Sequence, residues 1–237
     1  MYTKLKRIRF YDPRFGWNAT RLSFTWSVAS GRQLPPTAVG FIYKIIRAST
    51  ESFIRNAARF GSVRLMWHGT TRTCTLGDNP KNLNFCTDYN CSLCQILQWG
   101  YSIAKANANG MLGKGIYFSP LSSKQGISTV CPQAMLTYFR ASNYARNTSR
   151  SKYHALILNR VVVGNTYKTT HSQNYSTGPP AGYHSASAAS GGGLVKFDET
   201  SIATRRSLET SANPARLDKT SASRVPEASR ARELSRP

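Results

Sequence analysis

A chain of 237 residues and 26.3 kDa can bury one good core and leave a tail beyond it. Lys and Arg number 32 against 10 Asp plus Glu, a formal charge of +22 with a pI near 10.3, so the expected partner is rich in phosphate: a nucleic acid or an anionic dinucleotide. Five cysteines, odd in number and clustered, argue against a secreted disulfide framework, and neither a bilayer-spanning apolar run nor a signal-peptide core is present, so an intracellular, nuclear protein with no membrane partner is expected.

Residues 1–34 interleave Arg7, Arg9, Arg14 and Arg21 with Phe10, Tyr11, Phe15, Trp17, Phe24 and Trp26. Such a segment could stack bases while neutralising phosphates. Burial is the commoner fate of clustered rings, so a basic, aromatic extension covering the core with its rings is the expectation. Pro35-Pro36-Thr37 marks the boundary, after which 39–46 alternates and β-branches like a strand. Ser49 or Thr50 can cap a helix from Glu51 to Arg59 that places Phe53, Ile54 and Ala57 on one face. A strand at 63–67 then ends in His68-Gly69-Thr70.

Cys74, Cys86, Cys91 and Cys94 follow, with eleven, four and two residues between successive members. Four thiolates satisfy tetrahedral zinc, and the Cys-x-x-Cys pair lets two sulfurs reach one ion from a single turn. The alternative is four reduced thiols, with Cys94 buried on a helix before Gln95-Ile96-Leu97. Cys131 lies outside the pattern. Further on, Gly110-Met111-Leu112-Gly113-Lys114-Gly115 reads as a backbone bend delivering a strand at 115–119. Another strand is expected at 155–163, and residues 201–237 carry no aromatic and no sustained apolar period, so they read as a disordered Ser/Ala/Arg tail.

Arg64-Leu65-Met66-Trp67-His68-Gly69-Thr70 together with Gly113-Lys114-Gly115-Ile116-Tyr117-Phe118 resembles the catalytic domain of the poly(ADP-ribose) polymerase family. Ala141-Ser142-Asn143-Tyr144, the run 155–164, Pro179-Pro180-Ala181-Gly182-Tyr183-His184-Ser185 and Phe197-Asp198-Glu199 continue the series in order. The cysteine pattern with Leu76-Gly77-Asp78 is similar to the fungal and plant branch. The resemblance covers about 35–200. It implies an α+β ADP-ribosyltransferase fold, with split, mostly antiparallel sheets and few helices around an NAD+ cleft. It also implies transfer of ADP-ribose from NAD+ to a protein or nucleic-acid acceptor with release of nicotinamide.

By the same resemblance His68 would bind the adenosine-side ribose, Gly69 the carboxamide, and Tyr117 and Tyr144 would sandwich the nicotinamide ring. Glu199, one of just six acids in residues 1–200, would be the catalytic carboxylate, completing a set with His68 and Tyr117. As a residue type alone, His68 reads as a satisfied strand-end histidine. The chain departs from the family pattern in an insertion at 125–140, in its continuation after Glu199, and in the family's carboxamide-binding serine, which falls near Ala141 or Gln125. The competing expectation is a catalytically inactive, basic module of the same shape, zinc-stabilised, that binds nucleic acid or ADP-ribose.

Overall fold

The computed structural model of the protein describes residues 3–30, 39–47, 50–106, 110, 112–120, 122, 151, 153–171, 178–188 and 201–204, with the backbone alone for 22–30 and 201–204. Strand β1 (Thr3–Ile8) pairs antiparallel with β2 (Ile42–Arg47), setting Leu5 opposite Ile45 and Ile8 opposite Ile42. Leu5 and Ile8 are buried while Lys4, Lys6 and Arg7 face solvent, so the strand is held by its apolar positions. The N-terminal segment is thus a sheet partner of the core. Three of the rings behave contrary to expectation: Phe10 is 78% exposed, Tyr11 65% and Trp17 43%, while the side chains of Phe24 and Trp26 lie outside the described residues. Leu5 and Ile8 supply burial that these three rings do not.

Helix α1 (Pro13–Ser30) follows β1. Asp12 precedes it and accepts a hydrogen bond from the Arg14 amide at 3.0 Å, while Pro13 opens the helix with its φ preset and no amide to leave unpaired. Helix α2 (Glu51–Phe60) buries Phe53, but Ile54 is 60% exposed. The inward face therefore runs through Phe53, Ala57 and Phe60, and Ile54 falls on the next face round. Gly61 ends the helix at φ 65°, where its amide donates to Ala57, a backbone region that favours a residue without a side chain.

The chain then enters β3 (Val63–Gly69), which pairs antiparallel with β5 (Leu156–Val162), placing His68 opposite Ile157 and Met66 opposite Asn159. Helix α3 (Ser92–Trp99) and a single 3-10 turn (Ile103–Lys105) lie between β3 and β4 (Ile116–Phe118). Beyond β5 come β6 (Thr166–Thr169), β7 (Ser185–Ala188) and β8 (Ser201–Thr204). These form a sheet in the order β4-β8-β7-β6, antiparallel except for the parallel β6–β7 pair. Two backbone hydrogen bonds between Trp67 and Ser119, at 2.7 and 3.0 Å, tie β3 to the end of β4.

The architecture is mixed α/β, with few helices and small, mostly antiparallel sheets. Strand β8 carries the sheet four residues past the expected boundary at 200; Ser201-Ile202-Ala203-Thr204 is short and half polar, but its β-branched Ile and Thr suit a strand. The insertion at 125–140 and the tail from 205 onward lie outside the described residues. Among the described residues no helix is long and apolar enough to cross a membrane.

Candidate functional site

The four cysteines come together. Cys74 and Cys86 sit in the loop after β3, Cys91 is the residue before α3, and Cys94 lies in its first turn. All four sulfurs lie within 4.8 Å of one another, and Cys74 Sγ is 3.6 Å from both Cys91 Sγ and Cys94 Sγ. A tetrahedron of thiolates around zinc, with bonds of about 2.3 Å, places its sulfurs about 3.8 Å apart. The cluster therefore has the size of a four-sulfur metal site, and four close cysteines could hold a metal ion.

Backbone amides also point at these sulfurs: those of Cys94 and Thr73 at Cys91, that of Leu76 at Cys74, and that of Cys86 at Cys94. Amide donors of this kind stabilise thiolates. Burial opposes ionisation of Cys91, but its amide and thiol donors outweigh it and bring the thiol down to about 6. Burial pushes Cys74 up to about 11 and raises Cys94 as well. A bound cation would draw the remaining protons off the thiols.

The cluster is built into a core. Leu5, Leu76, Leu93, Leu97 and Ile157 are buried around Cys91 and Cys94, with Tyr43 and Ile45 of β2 packed against them. The loop on its far side is clamped by Arg72, whose side chain is almost wholly buried. Its guanidinium pairs with Asp78 at 3.0 Å and donates to the Leu76 carbonyl at 2.9 Å and to Ser151 Oγ and the Tyr153 carbonyl.

The second constellation lies at the ends of β3 and β4. His68 Nδ1 is 2.8 Å from the Tyr117 carbonyl, an acceptor that fixes the proton on Nδ1 and leaves Nε2 with a lone pair. The imidazole is half-buried, edge-on to the Tyr101 ring at 4.9 Å and tilted to the Phe118 ring at 5.5 Å. Burial pulls its pKa down to about 4, with the Tyr117 bond acting in the opposite direction. It is neutral at pH 7. Gly69 is buried at the end of the same strand, opposite Leu156.

The Tyr117 side chain is turned to the other face, as alternation along a strand requires. Its hydroxyl accepts from the Leu112 amide at 2.9 Å and donates to the Gly113 carbonyl at 2.7 Å, and its ring packs against Leu112, Ala186 and Ala188. Tyr117 therefore meets His68 through its backbone, with its phenol tying down the glycine bend. Glu199 and Tyr144 lie outside the described residues; Ser201, two positions after Glu199, is the first residue of β8.

Two neighbours of His68 had no signal in the sequence. The Tyr101 hydroxyl donates to Asn159 Oδ1 at 3.1 Å, and the fully buried Asn159 amide donates to the Ile157 carbonyl at 3.0 Å. Together they brace the imidazole from behind, and Tyr101 reaches it from the segment after α3. No protein-family model matches the chain, and no curated protein matches it.

Proposed function

We propose that the protein is an NAD+-dependent ADP-ribosyltransferase whose cysteine cluster holds a structural zinc ion. The observation that carries the reading is the joining of the two motifs: His68 at the end of β3 bonded to the Tyr117 carbonyl of β4, beside the Trp67–Ser119 bridge. In this reading His68 Nε2 accepts a hydrogen bond from the adenosine-side ribose, and Gly69 offers backbone groups to the nicotinamide carboxamide, where a side chain would intrude. Tyr144 presents a ring face to nicotinamide, while the Tyr117 phenol, turned to the opposite face of β4 from His68, holds the glycine bend instead of stacking on the ring.

The bond between ribose and nicotinamide breaks with an oxocarbenium-like transition state, and the leaving pyridinium becomes neutral nicotinamide without needing a proton. One carboxylate suffices. Glu199 fills that role by opposing the developing positive charge and orienting the acceptor. The acceptor is a protein side chain or a nucleic acid. Cys74, Cys86, Cys91 and Cys94 would hold zinc with all four ligands from the protein, so the ion would serve to fix the 74–94 loop against β1 and β2 and not to bind substrate.

The test is incubation with labelled NAD+, following label transfer and nicotinamide release in wild type and in Glu199→Gln and His68→Ala variants. Glu199→Gln should lower turnover by a factor of about a hundred or more while NAD+ still binds, because the amide keeps size but loses charge. His68→Ala should weaken NAD+ binding. A folded wild type that binds no NAD+ and releases no nicotinamide would overturn the reading.

A further inference from the structure

The positively charged N-terminal region is not used by this chemistry, and while Leu5 and Ile8 join the core, Phe10, Tyr11 and Trp17 stand outside it. Residues 3–21 carry Lys4, Lys6, Arg7, Arg9, Arg14 and Arg21 against the single acid Asp12. That acid is already neutralised, since Arg14 Nε donates to Asp12 Oδ1 at 2.7 Å and the same guanidinium closes an ion pair on the other oxygen. Lys6 lies directly opposite Lys44 across the β1–β2 ladder, a like-charge pairing that is unfavourable until an anion sits between the two ammonium groups.

Beside these charges stand the exposed rings of Phe10, Tyr11 and Trp17. Two of them, Tyr11 and Trp17, carry a guanidinium against the ring. The Arg9 guanidinium lies 5.9 Å from the centre of the Tyr11 ring and donates to its hydroxyl at 2.7 Å, and that of Arg21 lies 5.5 Å from Trp17, one helical turn away. Phe10 and Tyr11 meet edge to face at 5.5 Å.

We propose that β1, the turn after it and the first two turns of α1 form a binding surface for single-stranded nucleic acid, with Phe10, Tyr11 and Trp17 stacking on bases and Lys4, Lys6, Arg7 and Arg9 meeting phosphates. Rings at this exposure offer faces on which flat π-systems can stack, and the cations beside them can meet spaced anions; an unpaired strand supplies both, whereas a duplex keeps its bases stacked inside. The surface does not depend on NAD+ chemistry, and its test is independent of it.

The test measures anisotropy of fluorescein-labelled 15-mers of deoxythymidine and of uridine with the full chain, across a salt series. Binding should weaken steeply with salt, with a log–log slope of about −0.7 for each phosphate neutralised. Phe10→Ala, Tyr11→Ala and Trp17→Ala should each weaken it by about tenfold, with the melting temperature unchanged, because the rings are already in water. If the turn variants fail to fold, Trp17→Ala, at an exposed helical site, carries the test alone. Absence of binding, indifference to ring removal, or equal affinity for a duplex, heparin or anionic phosphatidylserine vesicles would each overturn the proposal, the last group by reducing the surface to charge alone.

Discussion

His68 is the residue on which the two strand ends converge, and its protonation is set by where it sits. A folded pKa near 4, below the ordinary value of 6.5, means that the folded state resists taking up a proton which the unfolded chain accepts. The stability this neutral imidazole contributes is full above about pH 6.5 and is lost as pH falls from there toward 4. Thermal melts across this window should show a fall in stability that His68→Asn makes shallower. Equal slopes would mean that other groups govern acid unfolding.

Tyr117 makes a different prediction, because its hydroxyl serves the loop. Tyr117→Phe removes both bonds at once and leaves the amide of the buried Leu112 without that partner, which should cost about 1–3 kcal/mol in denaturant unfolding. Gly110 explains why the bend begins with a glycine: an added Cβ would stand 2.7 Å from the Gly113 carbonyl and collide with the Tyr117 hydroxyl. Local sequence made His68, Gly69 and Tyr117 visible as residues. It could not show that Tyr117 faces its own loop, nor that Tyr101 packs on the histidine and is held in turn by Asn159, a bond that joins positions 58 apart.

Among the elements, legibility followed length and apolar pattern. The strands expected at 39–46, 63–67, 115–119 and 155–163 appear as Ile42–Arg47, Val63–Gly69, Ile116–Phe118 and Leu156–Val162, because β-branched and aromatic runs bounded by glycine or polar residues have few other fates. Strands β6, β7 and β8 carry no such apolar pattern. Each has four residues, and the Ser-Ala-Ser-Ala of β7, though wholly buried, carries too little side chain to separate it from a loop. Helix α1 has a readable start in Asp12-Pro13, but the residues that follow trace no clear apolar face at helical spacing.

The cysteine loop is the element whose stability is most conditional. Its cysteines have 11, 4 and 2 residues between them in the chain yet their sulfurs gather around one point, and Arg72 on Asp78, with the Tyr43 hydroxyl on the Gly77 carbonyl, otherwise ties the loop down. Purified protein should carry about one zinc per chain, and chelation or Cys91→Ser should lower stability by several kcal/mol, read as a fall in melting temperature together with loss of metal. A metal-free chain that melts at the same temperature would leave the thiols as plain core residues.

At the scale of the whole molecule, the sheet order β4-β8-β7-β6 places the latest of the described strands between two made earlier. Folding therefore has an obligatory sequel. Until Ser201–Thr204 has been synthesised, Ile116–Phe118 has no partner in this sheet and Ser185–Ala188 has β6 alone, so each waits with an open hydrogen-bonding edge. A chain shortened to residues 1–199 should accordingly self-associate, seen as increased light scattering against the full-length protein, and a shortened chain that stays monomeric with an unchanged melt would show the strand to be dispensable. The same order makes the nascent chain a template waiting for its own end: during translation the gap between β4 and β7 is a slot that any passing extended segment could enter, and the timing of the ribosome decides whether the right one arrives first.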